Sequence, residues 1–234
     1  MKVEIWSDIM CPFCYIGKRK FEEALEQFAH KDDLQVEWKS FQLNPDLKTQ
    51  TDKNIYEYLA EQKGWTLEYS RNVHAQMTTK AKESGLEYNF DSVIPANSFN
   101  AHRLSHLASK YNLQDAAEER LFKAYFTEGK NIDDIHTLVQ LGIEIGLKEE
   151  EVLSMLQSDL YAQQVYLDMY EAQQIGVKGV PFFVMDRKYA VSGAQPDSVF
   201  LGALQKAYQE FEKDQLATAT SNADGAACSI DGNC

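Results

Sequence analysis

Ser7-Asp8-Ile9-Met10-Cys11-Pro12-Phe13-Cys14-Tyr15-Ile16-Gly17-Lys18 joins two kinds of hydrophobic spacing. Before it, Val3 to Trp6 is a short β-favouring run and reads as a first strand. After Cys11 the apolar residues Ile16, Phe21, Leu25 and Phe28 recur at three- and four-residue steps, with Lys, Arg and Glu between them. That is the pattern of an amphipathic helix. Pro12 suits the first helical position, where its missing N–H would have had no partner. Cys11 therefore caps a helix that runs to about His30, and Cys14 lies one turn further in.

The chemistry follows from that placement. A helix N-terminus exposes unpaired N–H groups and the positive end of the macrodipole, both of which favour an anion at Cys11. The thiolate is the nucleophilic form of cysteine. Cys14, one turn down, is near enough to form a disulfide but more shielded. The asymmetry assigns attack to Cys11 and resolution of the mixed disulfide to Cys14. Inert buried cysteines or half a zinc site are the alternatives. Zinc needs a second Cys-x-x-Cys or a His pair at the usual spacing, which is missing, so no metal is expected.

Outward from this segment, Leu34 to Leu43 reads as a second strand, ended by Asn44-Pro45. From about 52 to 175 the spacing is helical almost throughout, with corners at Gly64, Gly85, Gly129 and Gly146 and a left-handed C-cap at Gly176. Val180-Pro181-Phe182-Phe183-Val184-Met185, the turn Asp186-Arg187-Lys188 and Tyr189 to Val191 form a hairpin, and Pro196 to Phe211 a closing helix. The expected organisation is 1–50 and 176–213 as two parts of one α/β domain, 51–175 as an all-helical insertion, and 214–234 as a flexible tail carrying Cys228 and Cys234.

The chain has 234 residues, with 23 Lys and Arg against 36 Asp and Glu, a net charge of −13. So acidic a surface repels phosphate backbones and anionic lipid, so neither nucleic acid nor membrane is an expected partner. No apolar run approaches the roughly 20 residues of a membrane span. The N-terminal residues carry two acids and no apolar segment of a secretory signal, so a soluble, cytoplasmic protein is expected. Four cysteines are too few for a disulfide-stapled scaffold.

Without the insertion, the order is β-α-β…β-β-α, with Cys-x-x-Cys at the first strand-to-helix turn and Pro181 before the third strand. This resembles the thioredoxin plan, and the insertion makes it similar to the DsbA-like branch. The stretches Ser7 to Lys18, Gly176 to Pro181 and Ser98-Phe99-Asn100-Ala101-His102-Arg103-Leu104 most resemble the FrnE-type oxidoreductases, over residues 1–212. The resemblance implies a thiol–disulfide oxidoreductase of the protein disulfide oxidoreductase or isomerase type, acting on protein or small-molecule disulfides or thiols. It also implies a cis Val180–Pro181 bond facing the cysteines. No cofactor is implied, although glutathione is a candidate electron partner. Glutathione-dependent kappa-type transferases and hydroxychromene-carboxylate isomerases share the insertion-bearing fold and are the alternative. They need no resolving thiol, so Cys14 argues against them.

Pro12 and Phe13 fill the dipeptide between the cysteines. Phe13 replaces the His of strongly oxidising relatives and supplies no charge to a thiolate, which implies a weaker oxidant. Cys228 and Cys234 form a candidate second redox pair. Roughly 15 residues separate them from Phe211, a coil reach of roughly 20 Å. An electron relay to Cys11, a passive tail and a metal clip with Asp231 all remain open. His102 and His106, four apart on one helical face, read as a structural pair because no local carboxylate completes a metal site. Glu4 and Asp8 are candidates for the proton acceptor near Cys14. Lys18 and Arg19 are expected to be solvated. The sequence specifies neither substrate nor oligomeric state.

Overall fold

A computed structural model describes residues 1–224. The chain runs β1 (Lys2–Ser7), α1 (Pro12–Gln27), a short 3-10 turn, and β2 (Gln35–Ser40). There follow α2 (Ile55–Lys63), α3 (Leu67–Glu83), α4 (Phe99–Ser109), α5 (Gln114–Phe126), α6 (Ile135–Glu144), α7 (Glu149–Leu156) and α8 (Ala162–Gln174). The chain then returns to β3 (Phe182–Met185), β4 (Tyr189–Ser192) and α9 (Asp197–Asp224). The strands lie in the order β2-β1-β3-β4. β1 pairs parallel with β2 and antiparallel with β3, and β3 pairs antiparallel with β4. This is the expected α/β fold with a helical insertion.

Both faces of the sheet are covered, which is why β1 reads as a nearly continuous buried strand rather than a half-buried one. Ile5 stands opposite Phe183 on one face. There Phe21 of α1, Phe183 and Phe200 of α9 pack with ring centroids 4.6–5.8 Å apart. On the other face Trp6 packs with Ala172, Val177 and Val184, and its indole Nε1–H donates to the Asp168 carbonyl of α8 at 2.9 Å.

That second face also carries charge. Glu4, 1% exposed, pairs with Arg187 and lies 3.5 Å from Lys2, and Arg187 reaches Glu171 of α8 at 2.7 Å. The alternation of β1 correctly set Glu4 opposite Val3 and Ile5, but α8 and Arg187 close over it.

α8 ends as the sequence required. Gly176 has φ +79° and Val177 N–H donates to the Ala172 carbonyl at 2.8 Å, the bond of a left-handed helix end. Two expectations are corrected. The closing helix does not stop at Phe211 but continues to Asp224, so residues 214–224 are helical rather than a flexible tail. Glu, Lys, Gln, Leu and Ala fill the start of that extension, and strong helix formers sustain a helix without an apolar face. Cys228 and Cys234 lie outside the described residues.

Lys18 is the second correction. It is 2% exposed, with Glu22, Asp115 at 3.1 Å and Glu119 at 3.5 Å around its ammonium. Burial alone would lower its titration point, but these three acids outweigh it and raise it. Arg19 is only partly exposed and pairs with Glu22 at 2.7 Å and with Glu119. α5, far away in sequence, supplies Asp115 and Glu119.

Candidate active site

Cys11 is the N-cap of α1, with extended backbone at φ −89° and ψ 112° and Pro12 next. The turn is tied by Cys11 N–H to the Asp8 carbonyl and Cys14 N–H to the Cys11 carbonyl, both at 2.9 Å. Both cysteines are free thiols. Cys11 keeps 4% of its surface exposed and Cys14 none. The Cys11 thiol does not cap the helix. It donates instead to the Val180 carbonyl at 3.4 Å.

Val180–Pro181 is cis, as the resemblance implied. Pro181 closes on α1 at Gly17, where a Cβ would stand 2.9 Å from Pro181 Cγ. Any side chain there would move the proline or the helix, so Gly17 sets how closely the loop approaches the cysteines.

The two thiols differ in their surroundings. Burial pushes the Cys14 thiol well above its ordinary titration point, and the adjacent Cys11 sulfur pushes it further. The Ser7 hydroxyl and the Asp8 N–H work weakly the other way. Cys14 is thus a protonated thiol near neutral pH, and it needs a base before it can attack.

Of the two acids singled out for that task, Glu4 is committed to Arg187 and Lys2. Asp8 is fully buried, its Oδ1 accepting from Met10 N–H at 3.2 Å and its Oδ2 from Leu43 N–H at 2.7 Å. His102 Nε2 lies 3.5 Å from Oδ1. No carboxylate lies near the two histidines in sequence, yet the fold delivers one to each. Asp8 meets His102, and Asp168 meets His106 at 3.0 Å. Among the described residues no group of three or more His, Cys, Asp or Glu is arranged to hold a metal ion.

The insertion contributes more than the sequence revealed. Tyr88 donates its hydroxyl to the Pro12 carbonyl at 2.7 Å, and both cysteines act on its phenol, which burial raises far above the ordinary range. Lys80 of α3 places its ammonium 5.8 Å from the centre of the Phe13 ring, itself 39% exposed. A groove of about 300 Å³ runs between Phe13, Ile16, Lys80, Ser84, Ala194 and Pro196. No local pattern marks Tyr88 or Lys80, since each acts through contacts more than 60 residues away in sequence. The arrangement sets one thiol with residual surface against the Val180 carbonyl, with a second, protonated thiol sealed behind it.

Residues 2–205 match the model of a family described as the DSBA-like thioredoxin domain. The chain is 31% identical over 206 residues to the uncharacterized protein YwbO of Bacillus subtilis (strain 168), covering 86% of this chain and 94% of that protein. It is similar to the crystal structure of a probable DsbA oxidoreductase from Streptomyces coelicolor, with a TM-score of 0.84, 38% identity, and 90% and 91% of the two chains covered. A likeness of fold extends to the cytosolic disulfide reductase DsbM from Pseudomonas aeruginosa solved with GSH, with a TM-score of 0.60, 17% identity, and 93% and 100% of the chains covered.

Proposed function

The chain belongs to the DSBA-like thioredoxin domain family of thiol–disulfide oxidoreductases, and we propose that its Cys11-Pro12-Phe13-Cys14 segment exchanges disulfides with protein or small-molecule thiols. The observation that carries this reading is the pair of free thiols at the start of α1, one with residual surface against Val180 and the other sealed.

Cys11 attacks a substrate disulfide and is left in a mixed disulfide. The substrate chain lies along the Phe13 groove with its backbone beside Val180. Cys14 gives its proton to Asp8 and attacks the Cys11 sulfur, releasing the substrate thiol. The Ser7–Lys18 and Gly176–Pro181 segments support the FrnE-type branch. The acidic chain, with no described helix long and apolar enough to cross a membrane, supports work in the cytoplasm. There the DsbM likeness and the compartment's reducing poise favour glutathione as the electron partner and disulfide reduction or isomerisation over net oxidation. The transferase or isomerase alternative gives Cys14 no task.

Insulin reduction tests the reading. Cys11→Ser is expected to abolish turnover. Cys14→Ser is expected to lower it by about a hundredfold, in the range a missing positioned nucleophile costs, and to trap a mixed disulfide visible by mass. Turnover lost only in Cys11→Ser would point to the transferase class, and turnover kept in both would refute enzymatic thiol chemistry.

A further inference from the structure

The connection between α3 and α4 carries Tyr88, and the end of α5 fixes the backbone on both sides of it. The Thr127 hydroxyl donates to the Glu87 carbonyl at 2.7 Å, and Asn89 N–H donates to the Phe126 carbonyl at 2.7 Å. The Tyr88 ring is buried, stacked on Phe126 with centroids 4.6 Å apart and set edge-on to Phe90 at 5.5 Å. Aromatic pairs of these geometries favour one ring orientation. From this anchored base the hydroxyl crosses to the redox turn and donates to the Pro12 carbonyl at 2.7 Å. Burial keeps the phenol protonated, and both cysteines push the same way, so the hydroxyl is a standing donor.

Pro12 is where such a donor has leverage. Proline has no N–H, so its carbonyl is its one polar backbone group. That oxygen has two lone pairs, and the helix ladder uses only one. The cysteines have their own ties, from Cys11 N–H to the Asp8 carbonyl and from Cys14 N–H to the Cys11 carbonyl. Their side chains are in hydrogen-bond contact, and Pro12 and Phe13 are the two residues between them. A bond from the insertion to the Pro12 carbonyl therefore fixes one cysteine against the other.

From this placement we infer that Tyr88 is a positioning residue for the release half-reaction: its hydroxyl holds the Pro12 peptide so that the Cys14 sulfur stays aligned on Cys11. The inference rests on the thiol–disulfide reading above. In the step itself Cys14 loses its proton and forms an S–S bond to Cys11, while the bond from Cys11 to the substrate sulfur breaks. The substrate sulfur leaves with that electron pair and takes up a proton, so the net transfer is of the Cys14 proton to the departing thiol. The cysteine pair has lost two electrons and the substrate disulfide has gained them. Attack along an S–S axis depends steeply on alignment, which a loosened turn would spoil. Capture by Cys11, an encounter with a substrate from solution, depends on it less.

Oxidised glutathione serves as the probe, with quenched samples read by mass for the mixed disulfide and for the Cys11–Cys14 disulfide. Tyr88→Phe keeps the ring and its stacking and removes the donor. The ratio of Cys11–Cys14 disulfide to mixed disulfide is expected to fall about fivefold in the folded variant, the worth of one neutral hydrogen bond. A Tyr88 that only packs would lower the denaturation midpoint and leave that ratio unchanged, and an unchanged ratio overturns the inference while disulfide exchange stands. Formation of neither species by the unaltered chain would instead overturn the thiol–disulfide reading, and this inference with it. Should Tyr88→Phe not fold, Thr127→Val cuts the tie behind Tyr88 without touching the ring. The ratio is then expected to fall about twofold, a smaller share of the same hydrogen-bond energy, and no change would overturn the inference.

Discussion

At one end of α4, His102 faces Asp8 at 3.5 Å, and one turn further on His106 faces Asp168 at 3.0 Å. The residue types and spacing are the same, but the surroundings are not. Asp168 is fully engaged. It accepts from Ser40 N–H at 2.9 Å, pairs with Lys39 at 3.2 Å, and offers its carbonyl to Trp6. His106 also touches Ser40 Oγ at 3.0 Å and opens onto a groove beside Lys39 and Glu37. At the Asp8 end the donors are two backbone N–H groups, and among the described residues the buried His102 Nε2, 3.5 Å away, has no hydrogen-bond partner, nor do Glu118 Oε2 and Tyr125 OH. A satisfied network fastens elements together, whereas an unsatisfied one beside a reactive group is available for chemistry. The Asp168 end therefore clamps α8 and α4 to the sheet, and the Asp8 end is the less satisfied of the two.

The sharpest way to break this comparison is to cut the clamp. Asp168→Ala leaves Lys39 and His106 without their shared acid and is expected to lower unfolding stability by about 3 kcal/mol. The check is the urea midpoint. Insulin-reduction turnover of the folded protein should stay as in the unaltered chain. If turnover falls in the folded protein as well, the Asp168 end is tied to the cysteine site and the distinction fails.

A smaller effect separates the ends by pH. Burial alone would raise the Asp168 titration point, but His106, the Ser40 N–H and Lys39 outweigh it and hold it below the usual carboxylate range. Its contribution to stability is thus fully present above about pH 4, the unfolded value, and is lost as pH falls through the lower folded one. His102 is shifted upward. Its contribution is complete below about pH 6.5 and is lost as pH rises through its folded value. Denaturation midpoints across pH should therefore show Asp168→Asn most costly near neutrality and least in strong acid. His102→Gln should be most costly near pH 5.5 and least in alkali. Parallel profiles for the two variants would contradict the assignment.

What the sequence disclosed divides along contact distance. The Cys11 cap, Pro12 at the helix start, the Gly176 helix end and the 182–192 hairpin are local, fixed by propensities within a few residues. All of these are found in the structure. Lys18 looked like a surface charge because its neighbours in sequence are charged, while the acids that bury it sit about 100 residues later on α5. Glu4 met Arg187 and Asp8 met His102 by the same long-range route. The cis bond came from the family resemblance rather than from local chemistry. Residues 214–224 were misread for a different reason: a polar helix has no periodic apolar face to detect.

The most direct test of the central claim is equilibration of the reduced protein against defined glutathione redox buffers, with the Cys11–Cys14 disulfide read by mass. One two-electron transition is expected, absent in Cys11→Ser and Cys14→Ser. Phe13 should set its midpoint more negative than about −120 mV, the value of the strongly oxidising DsbA. Failure to form that disulfide at any buffer ratio, with both thiols still free, would contradict the account.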